Sequence, residues 1–353
     1  MRIIYILIAT VLVAIILPGC KPKAEPESKS PTSRVLSVAN ATGAPLLDGQ
    51  ANDAFWKQAK PLTVNAGGPE LTVKAAVSGD MIYTMLSWDD ATNDSIDEVW
   101  EFDGTIWKKG PIDDAVAIFW DIDFSISGFN KKGCRVVCHK GDKGPAMVIE
   151  GPATPKGEIW PGAKQRGDIW DMSLGISNVR GAGNDYYFGV QEIYLKHPSV
   201  VKPVIRRRHD DFTVKAPLEL NEATTPSDPA GRPRWRLKSG LTVETTPYPQ
   251  LDQVEEITDY TFPKTGDKIP YIIFHPFDAQ WGGSRDDIKG KGVWQDGRWT
   301  VEFARKLDTG RDDDINFKAT RGSARYYVFD VAVFDRTVVN HTSTGPISLE
   351  ITK

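Results

Sequence analysis

Leu71-Thr72-Val73-Lys74-Ala75-Ala76-Val77 runs into Ser78-Gly79-Asp80 and leaves through Met81-Ile82-Tyr83-Thr84-Met85-Leu86-Ser87-Trp88. Two apolar-rich runs of strand length around a glycine turn read as an antiparallel hairpin. The pattern returns late in the chain. Gly292-Val293-Trp294 leads into Gln295-Asp296-Gly297, and Arg298-Trp299-Thr300-Val301-Glu302-Phe303 leaves it; Asp-Gly supplies the positive φ such a turn needs. Ala115–Trp120, Tyr326–Phe334 and Ile347–Ile351 read as further strands, Tyr326–Phe334 continuous enough to be central. No long stretch repeats apolar residues at i, i+3, i+4 and i+7, so helices should be few and short. The expected fold is all-β, an antiparallel, jelly-roll-like β-sandwich. Trp56, Trp88, Trp120 and Trp299 fall in strand patterns and are expected in the core.

This body is expected over residues 36–353. Within it, residues 196–268 are rich in Pro, Thr, Glu and Arg with sparse apolar residues, and read as a long irregular insertion. Ahead of it, Met1-Arg2 and the almost unbroken Ile, Leu, Val and Ala of residues 3–17 suit a signal-peptide core. Leu17-Pro18-Gly19-Cys20 resembles the bacterial lipoprotein box, which makes residues 1–19 the signal peptide and Cys20 the lipidated residue. Lys21, rather than an aspartate, points to the outer membrane, at its periplasmic face or the cell surface. Residues 20–35 carry no apolar pattern and read as a flexible tether. A net charge of −4, with Arg206-Arg207-Arg208 followed at once by His209-Asp210-Asp211, offers no nucleic-acid track.

The chemistry centres on Gly133-Cys134-Arg135-Val136-Val137-Cys138-His139. Two thiols one short loop apart can add across haem vinyl groups, and an imidazole beside the second can ligate the iron. The usual spacing has two residues between the cysteines; here there are three. A Cys134–Cys138 disulfide, a zinc site and an unmodified thiol pair compete with one covalent haem c. With His139 proximal, the distal candidates are His197, His209, His275, His341, Met147 and Met172. His341 stands between the long strand ending at Phe334 and the final strand, where a loop can fold over a haem edge. Met147, close behind His139, is the fallback. Asp89-Asp90 and Asp312-Asp313-Asp314 read as solvated turns or, less simply, calcium ligands.

The sequence resembles the haem-binding domain family related to the γ subunit of ethylbenzene dehydrogenase, whose sandwich is similar to family 9 carbohydrate-binding modules. The resemblance spans roughly residues 36–353. It is carried by Leu47-Asp48-Gly49 with Phe55-Trp56, Trp88-Asp89-Asp90-Ala91-Thr92, Asp113-Asp114-Ala115-Val116-Ala117, Gly167-Asp168-Ile169-Trp170, Gly283–Ile288, Trp294–Trp299 and Arg305–Gly310. In the γ subunits the haem is b-type, held by a methionine and by a lysine from the loop after an Ala-Val-(Phe/Trp)-Asp strand. Here that strand is Val331–Asp335, so the resemblance implies His341 as distal ligand. The Cys-x-x-x-Cys-His segment departs from the b-type pattern and resembles a c-type branch.

The sequence therefore predicts a lipid-anchored monohaem c-type cytochrome, an electron carrier rather than an enzyme, exchanging electrons with a redox protein in an exported respiratory pathway. A haem-free carbohydrate- or ligand-binding lipoprotein, a haem subunit of a molybdenum oxidoreductase, and a haem with an open sixth position are the rivals. No Walker A loop, His-Glu-x-x-His pair or Gly-x-Ser-x-Gly elbow is present.

Overall fold

The computed structural model describes residues 33–137, 148–150, 164–190, 204–209, 218–222, 232–259, 261, 263–275, 283–318, 324–337 and 341–352. The signal segment, Cys20, Cys138, His139, Met147 and His197 lie outside the described residues.

The strands run β1 (Val35–Asn40), β2 (Leu62–Asn65), β3 (Glu70–Ser78), β4 (Met81–Asp89), β5 (Val99–Phe102), β6 (Trp107–Lys109), β7 (Ala115–Asp121) and β8 (Val148–Glu150). They continue with β9 (Gly167–Ser173), β10 (Asn184–Val190), β11 (Val204–His209), β12 (Leu218–Leu220), β13 (Trp235–Leu237), β14 (Val254–Glu256), β15 (Lys268–Pro270) and β16 (Ile272–Phe274). The last five are β17 (Lys289–Gln295), β18 (Arg298–Lys306), β19 (Ala324–Phe334), β20 (Thr342–Ser343) and β21 (Ile347–Thr352). Two short helices are described, α1 (Phe129–Lys132) and α2 (Ile176–Arg180).

Both hairpins form in the expected register. Ser78 pairs with Met81 across Gly79-Asp80, and Gln295 with Arg298 across Asp296-Gly297. Asp296 (φ 52°) and Gly297 (φ 80°) both take the left-handed conformation that the mirror-image turn requires. The large sheet is ordered β17-β18-β4-β3-β1-β21-β19-β7-β9-β10-β11-β8 and curls into two facing layers at β1. β1 pairs with β21 over Val35–Val38 and with β3 over Ala39 and Asn40, parallel to both. The other pairings in this sheet are antiparallel among the described residues. β19 sits between β21 and β7, in the interior of its layer.

Strand alternation explains the core. Leu71, Val73, Leu86, Trp88, Trp299 and Phe303 of one layer meet Ile118, Trp120, Trp170, Phe329 and Leu349 of the other. Trp56, Trp88, Trp120 and Trp299 are all buried, so none of them offers a face for stacking a sugar. Among the enclosed charges is Arg305, which donates to Asp168 Oδ2 (2.5 Å) and to the Ile315 carbonyl (2.5 Å), with Asp185 and Asp314 at 4.0 and 3.8 Å. Without those carboxylates a buried guanidinium would carry an uncompensated desolvation cost.

Within 196–268 the described residues do two things. β11 joins the large sheet beside β10. β12, β13, β14 and β15 form small sheets with β16, with each other and with β5, enclosing a satellite core of Trp100, Trp107, Tyr248, Ile269, Tyr271 and Phe274. Its junction with the sandwich is acidic. Burial, with Asp97 alongside, pushes Asp113 up to about 7, and burial, with Glu98 alongside, pushes Asp97 up to about 6.

Candidate haem site

The layer β19-β7-β9-β10 is apolar on both faces. Its inner face feeds the sandwich core, while Val328, Phe119, Ile169 and Phe188 point outward and are buried too. Strand register sorts this outer face into rows. Asp330, Phe119, Ile169 and Tyr186 form one; Ser343, Ala332, Ala117 and Asp171 the next; Phe334, Ala115 and Ser173 the third. The Cys134 turn covers the first of these rows.

The chain reaches that turn by a tight reversal after β7. Asp121 Oδ1 accepts the Ile126 N–H (2.9 Å), and Asp123 (φ 58°) and Phe124 (φ 53°) are both left-handed, a costly conformation for residues with a Cβ. α1 follows, its Phe129 packed edge-on against Phe119 (5.1 Å). A 3-10 turn then spans Gly133–Val136. Gly133 has φ 62°, and a Cβ there would lie 1.9 Å from Asp330 Oδ2. Only glycine lets the cysteine turn approach β19 this closely. Cys134 is 3% exposed and packs among Phe119, Phe129, Ile169 and Val137.

Asp330 holds the turn. Its Oδ2 accepts the Cys134 N–H (2.8 Å), its Oδ1 accepts the Thr344 hydroxyl (2.8 Å), and the Cys134 thiol also donates to it. Burial raises the Asp330 pKa, and these donors oppose the rise.

His341 precedes β20, whose Thr342 and Ser343 pair with Val333 and Ala332. Its imidazole is half-buried and lies 4.7 Å from the Phe334 ring. Asp330 and Phe334 share a face of β19 four residues apart, about 13 Å at the rise of a β-strand. Cys134 and His341 thus belong to one face and stand at the two ends of a short track. The track's floor is small: Ala332 beside Ala117, then Ala115. Ala332 and Ala117 are themselves buried, at 8% and 6% exposure, so small side chains rather than open space mark the track. A thiol and an imidazole on one face are the donor types that hold a haem, and in that chemistry these residues fit one.

Of the other described distal candidates, His209 pairs in register with Tyr186 at the far end of the first row, while Met172 and His275 lie elsewhere. Met172 is fully buried in the inner core, on the opposite face of β9 from Ile169. His275 follows β16 beside the satellite core. His209 ends β11, and its side chain is not among those described. Of the acidic turns, Asp89 pairs with Arg298 (3.0 Å) and Asp313 with Arg311 (3.2 Å), while Asp314 faces Arg305.

Sequence reasoning missed Asp330, Gly133 and the alanine floor. The floor had a signal: Ala115-Val116-Ala117 and Val331-Ala332-Val333 put alanines on the same face of paired strands. Asp330 had one too, as an acid inside an otherwise apolar strand.

Fold and site together define a β-sandwich with a cysteine-bearing turn closed over one outer face. The ethylbenzene dehydrogenase family matches residues 49–344, and the chain belongs to that family. No curated protein matches the chain. Among solved structures it is similar to a family 9 carbohydrate-binding module from Caldicellulosiruptor kristjanssonii in complex with glucose, at 9% identity over 91% of this chain and 97% of that one, TM-score 0.34. The same module in complex with cellotriose gives 9% identity, 91% and 95% coverage and TM-score 0.33. A Bacteroides uniformis protein gives 12% identity, 90% and 99% coverage and TM-score 0.31.

Proposed function

We propose that this chain is a membrane-anchored monohaem c-type cytochrome that transfers electrons in an exported respiratory pathway and catalyses no reaction of its own. The observation that carries the reading is the placement of Cys134, the first cysteine of the Cys-x-x-x-Cys-His segment, against the same small-floored sheet face that carries His341. Cys134 and Cys138 hold a haem c by thioether bonds, His139 is the proximal ligand and His341 the distal one. Bound there, the haem supplies a one-electron ferric/ferrous couple. The chain's part is to orient the imidazoles, to line the cofactor with Phe119, Ile169, Val137 and Phe334, and to keep water away from it, which sets the potential. Lipid on Cys20 tethers the carrier to the outer membrane, close to its redox-protein donor or acceptor.

The test is intact-mass analysis and an optical spectrum of protein matured in a cell able to make c-type cytochromes. The expected result is one covalent haem and a six-coordinate low-spin spectrum that changes little with carbon monoxide. Mass without an added tetrapyrrole would falsify the reading. In Cys134→Ser/Cys138→Ser the covalent haem should disappear from denaturing gels.

A further inference from the structure

We infer that Asp330 is a positioning residue whose carboxylate sets the spacing between the cysteine turn and the loop of the distal imidazole. The inference rests on the haem reading and deepens it. Its two oxygens are divided between two segments far apart in the chain: Oδ2 takes the Cys134 N–H and Oδ1 the Thr344 hydroxyl, each at 2.8 Å. Thr344 lies three residues after His341, and its own place is fixed on β19. Its N–H donates to the Val331 carbonyl (3.0 Å), and its hydroxyl oxygen accepts the Val331 N–H (3.1 Å). The threonine proton has a second acceptor in reach, the Gly345 carbonyl at 2.8 Å, but a carboxylate is the stronger one.

Two features tie the arrangement to the cofactor rather than to the fold alone. The arm toward the cysteine is a backbone N–H, so it survives when the sulfur becomes a thioether, whereas the thiol's bond to Asp330 does not. Moreover, Gly133 leaves no room for a Cβ between the turn and this carboxylate, so the contact fixes how deep the turn sits. Asp330 is assigned a positioning role and not that of an iron ligand. It acts on the spacing between the loops of the two imidazoles, and an iron held from both sides is sensitive to that spacing.

The experiment compares full-length wild type, Asp330→Ala, Asp330→Asn, Thr344→Val and His341→Ala, all matured with haem. It reads covalent haem by mass, spin state by electron paramagnetic resonance, and the carbon monoxide difference spectrum. Asp330→Ala should keep covalent haem but show a high-spin fraction and a several-fold larger carbon monoxide response, approaching His341→Ala. Asp330→Asn, which keeps an acceptor oxygen, should recover part of the low-spin signal. Thr344→Val, close to isosteric and leaving the Cys134 arm intact, should move the same way by less. It carries the test if Asp330→Ala does not fold. Haem attached and fully low-spin in Asp330→Ala, or in Thr344→Val where Asp330→Ala does not fold, overturns the positioning role and leaves the haem reading standing. A low-spin His341→Ala overturns the distal half of the proposal. A wild type without haem fails the functional reading itself, and the positioning role goes with it.

Discussion

The two outer faces of the sandwich are closed by the same device and packed with side chains of different size. On β18, Glu302 points outward and accepts the Trp56 indole N–H (2.5 Å), the Gly49 N–H (2.7 Å) and the Asp48 N–H (3.2 Å). On β19, Asp330 does the same for Cys134 and Thr344. Each is a buried acid on an interior strand holding a crossing loop. Beneath the first loop the face is packed with aromatic and thioether side chains: Phe55 and Trp56 against Tyr83 and Met85. Along the second, beyond Phe119, the floor drops to Ala332, Ala117 and Ala115. Side chains alone complete the first face. The second carries a cysteine turn at one end and an imidazole at the other.

The sharpest way to break this comparison is to empty the complete face. Trp56 is 1% exposed, and Trp56→Ala should cost about 3–5 kcal/mol, the usual range for a buried large aromatic. Because that face owes nothing to a cofactor, the loss should be equal with and without haem, measured by denaturant unfolding of both forms. A loss confined to the haem-loaded form would make the two faces interdependent and remove the contrast.

The second experiment crowds the face with the small floor. Ala332→Leu adds bulk to the floor between the cysteine turn and His341. With haem bound it should act as overpacking, costing about 1–3 kcal/mol and lowering the low-spin fraction. In haem-free protein Ala332 is 8% exposed, so the same leucine should overpack there as well, but by less than against a rigid macrocycle. Equal destabilisation of both forms would mean that haem adds nothing to what already covers Ala332.

The same contrast explains what could be read from the sequence. Hairpins were legible because a two-residue turn fixes register: Gly79-Asp80 and Asp296-Gly297 each commit seven or more paired residues on either side. Trp88, Trp120 and Trp299 lie in the inner core, because alternation assigns a face to every strand residue, whereas Trp56, outside the strands, is buried on the outer face. What alternation cannot say is which face a loop will later cover. Tyr326–Phe334 reads as continuous enough to be a central strand, yet nothing local links it to a cysteine turn lying between β7 and β9 in sequence. The parallel pairing of β1 was equally hidden, since it depends on β21 arriving from the far end of the chain. Asp330 was passed over because a carboxylate in an apolar strand has no meaning until its donors, Cys134 and Thr344, are placed in space.

The smallest effect concerns the acids themselves, and it separates the clamp from its filling. Burial raises the Glu302 pKa above its ordinary value of 4.5, against the opposing pull of the Trp56 and Gly49 donors. A carboxyl with a raised folded-state pKa binds its proton more tightly in the native protein than in the unfolded one. Native stability from this group is therefore fully present below about 4.5 and declines as pH rises through the folded-state value. Glu302→Gln keeps an acceptor oxygen for one donor and cannot titrate. It should lower stability by about 1 kcal/mol through imperfect hydrogen bonding while flattening the decline in Tm between weakly acidic and neutral pH. Since Glu302 lies on the aromatic-filled face, the flattening should be the same in haem-loaded and haem-free protein. A pH slope that Glu302→Gln leaves untouched would place the titrating group elsewhere, with the raised Asp97 and Asp113 at the satellite junction the next to replace.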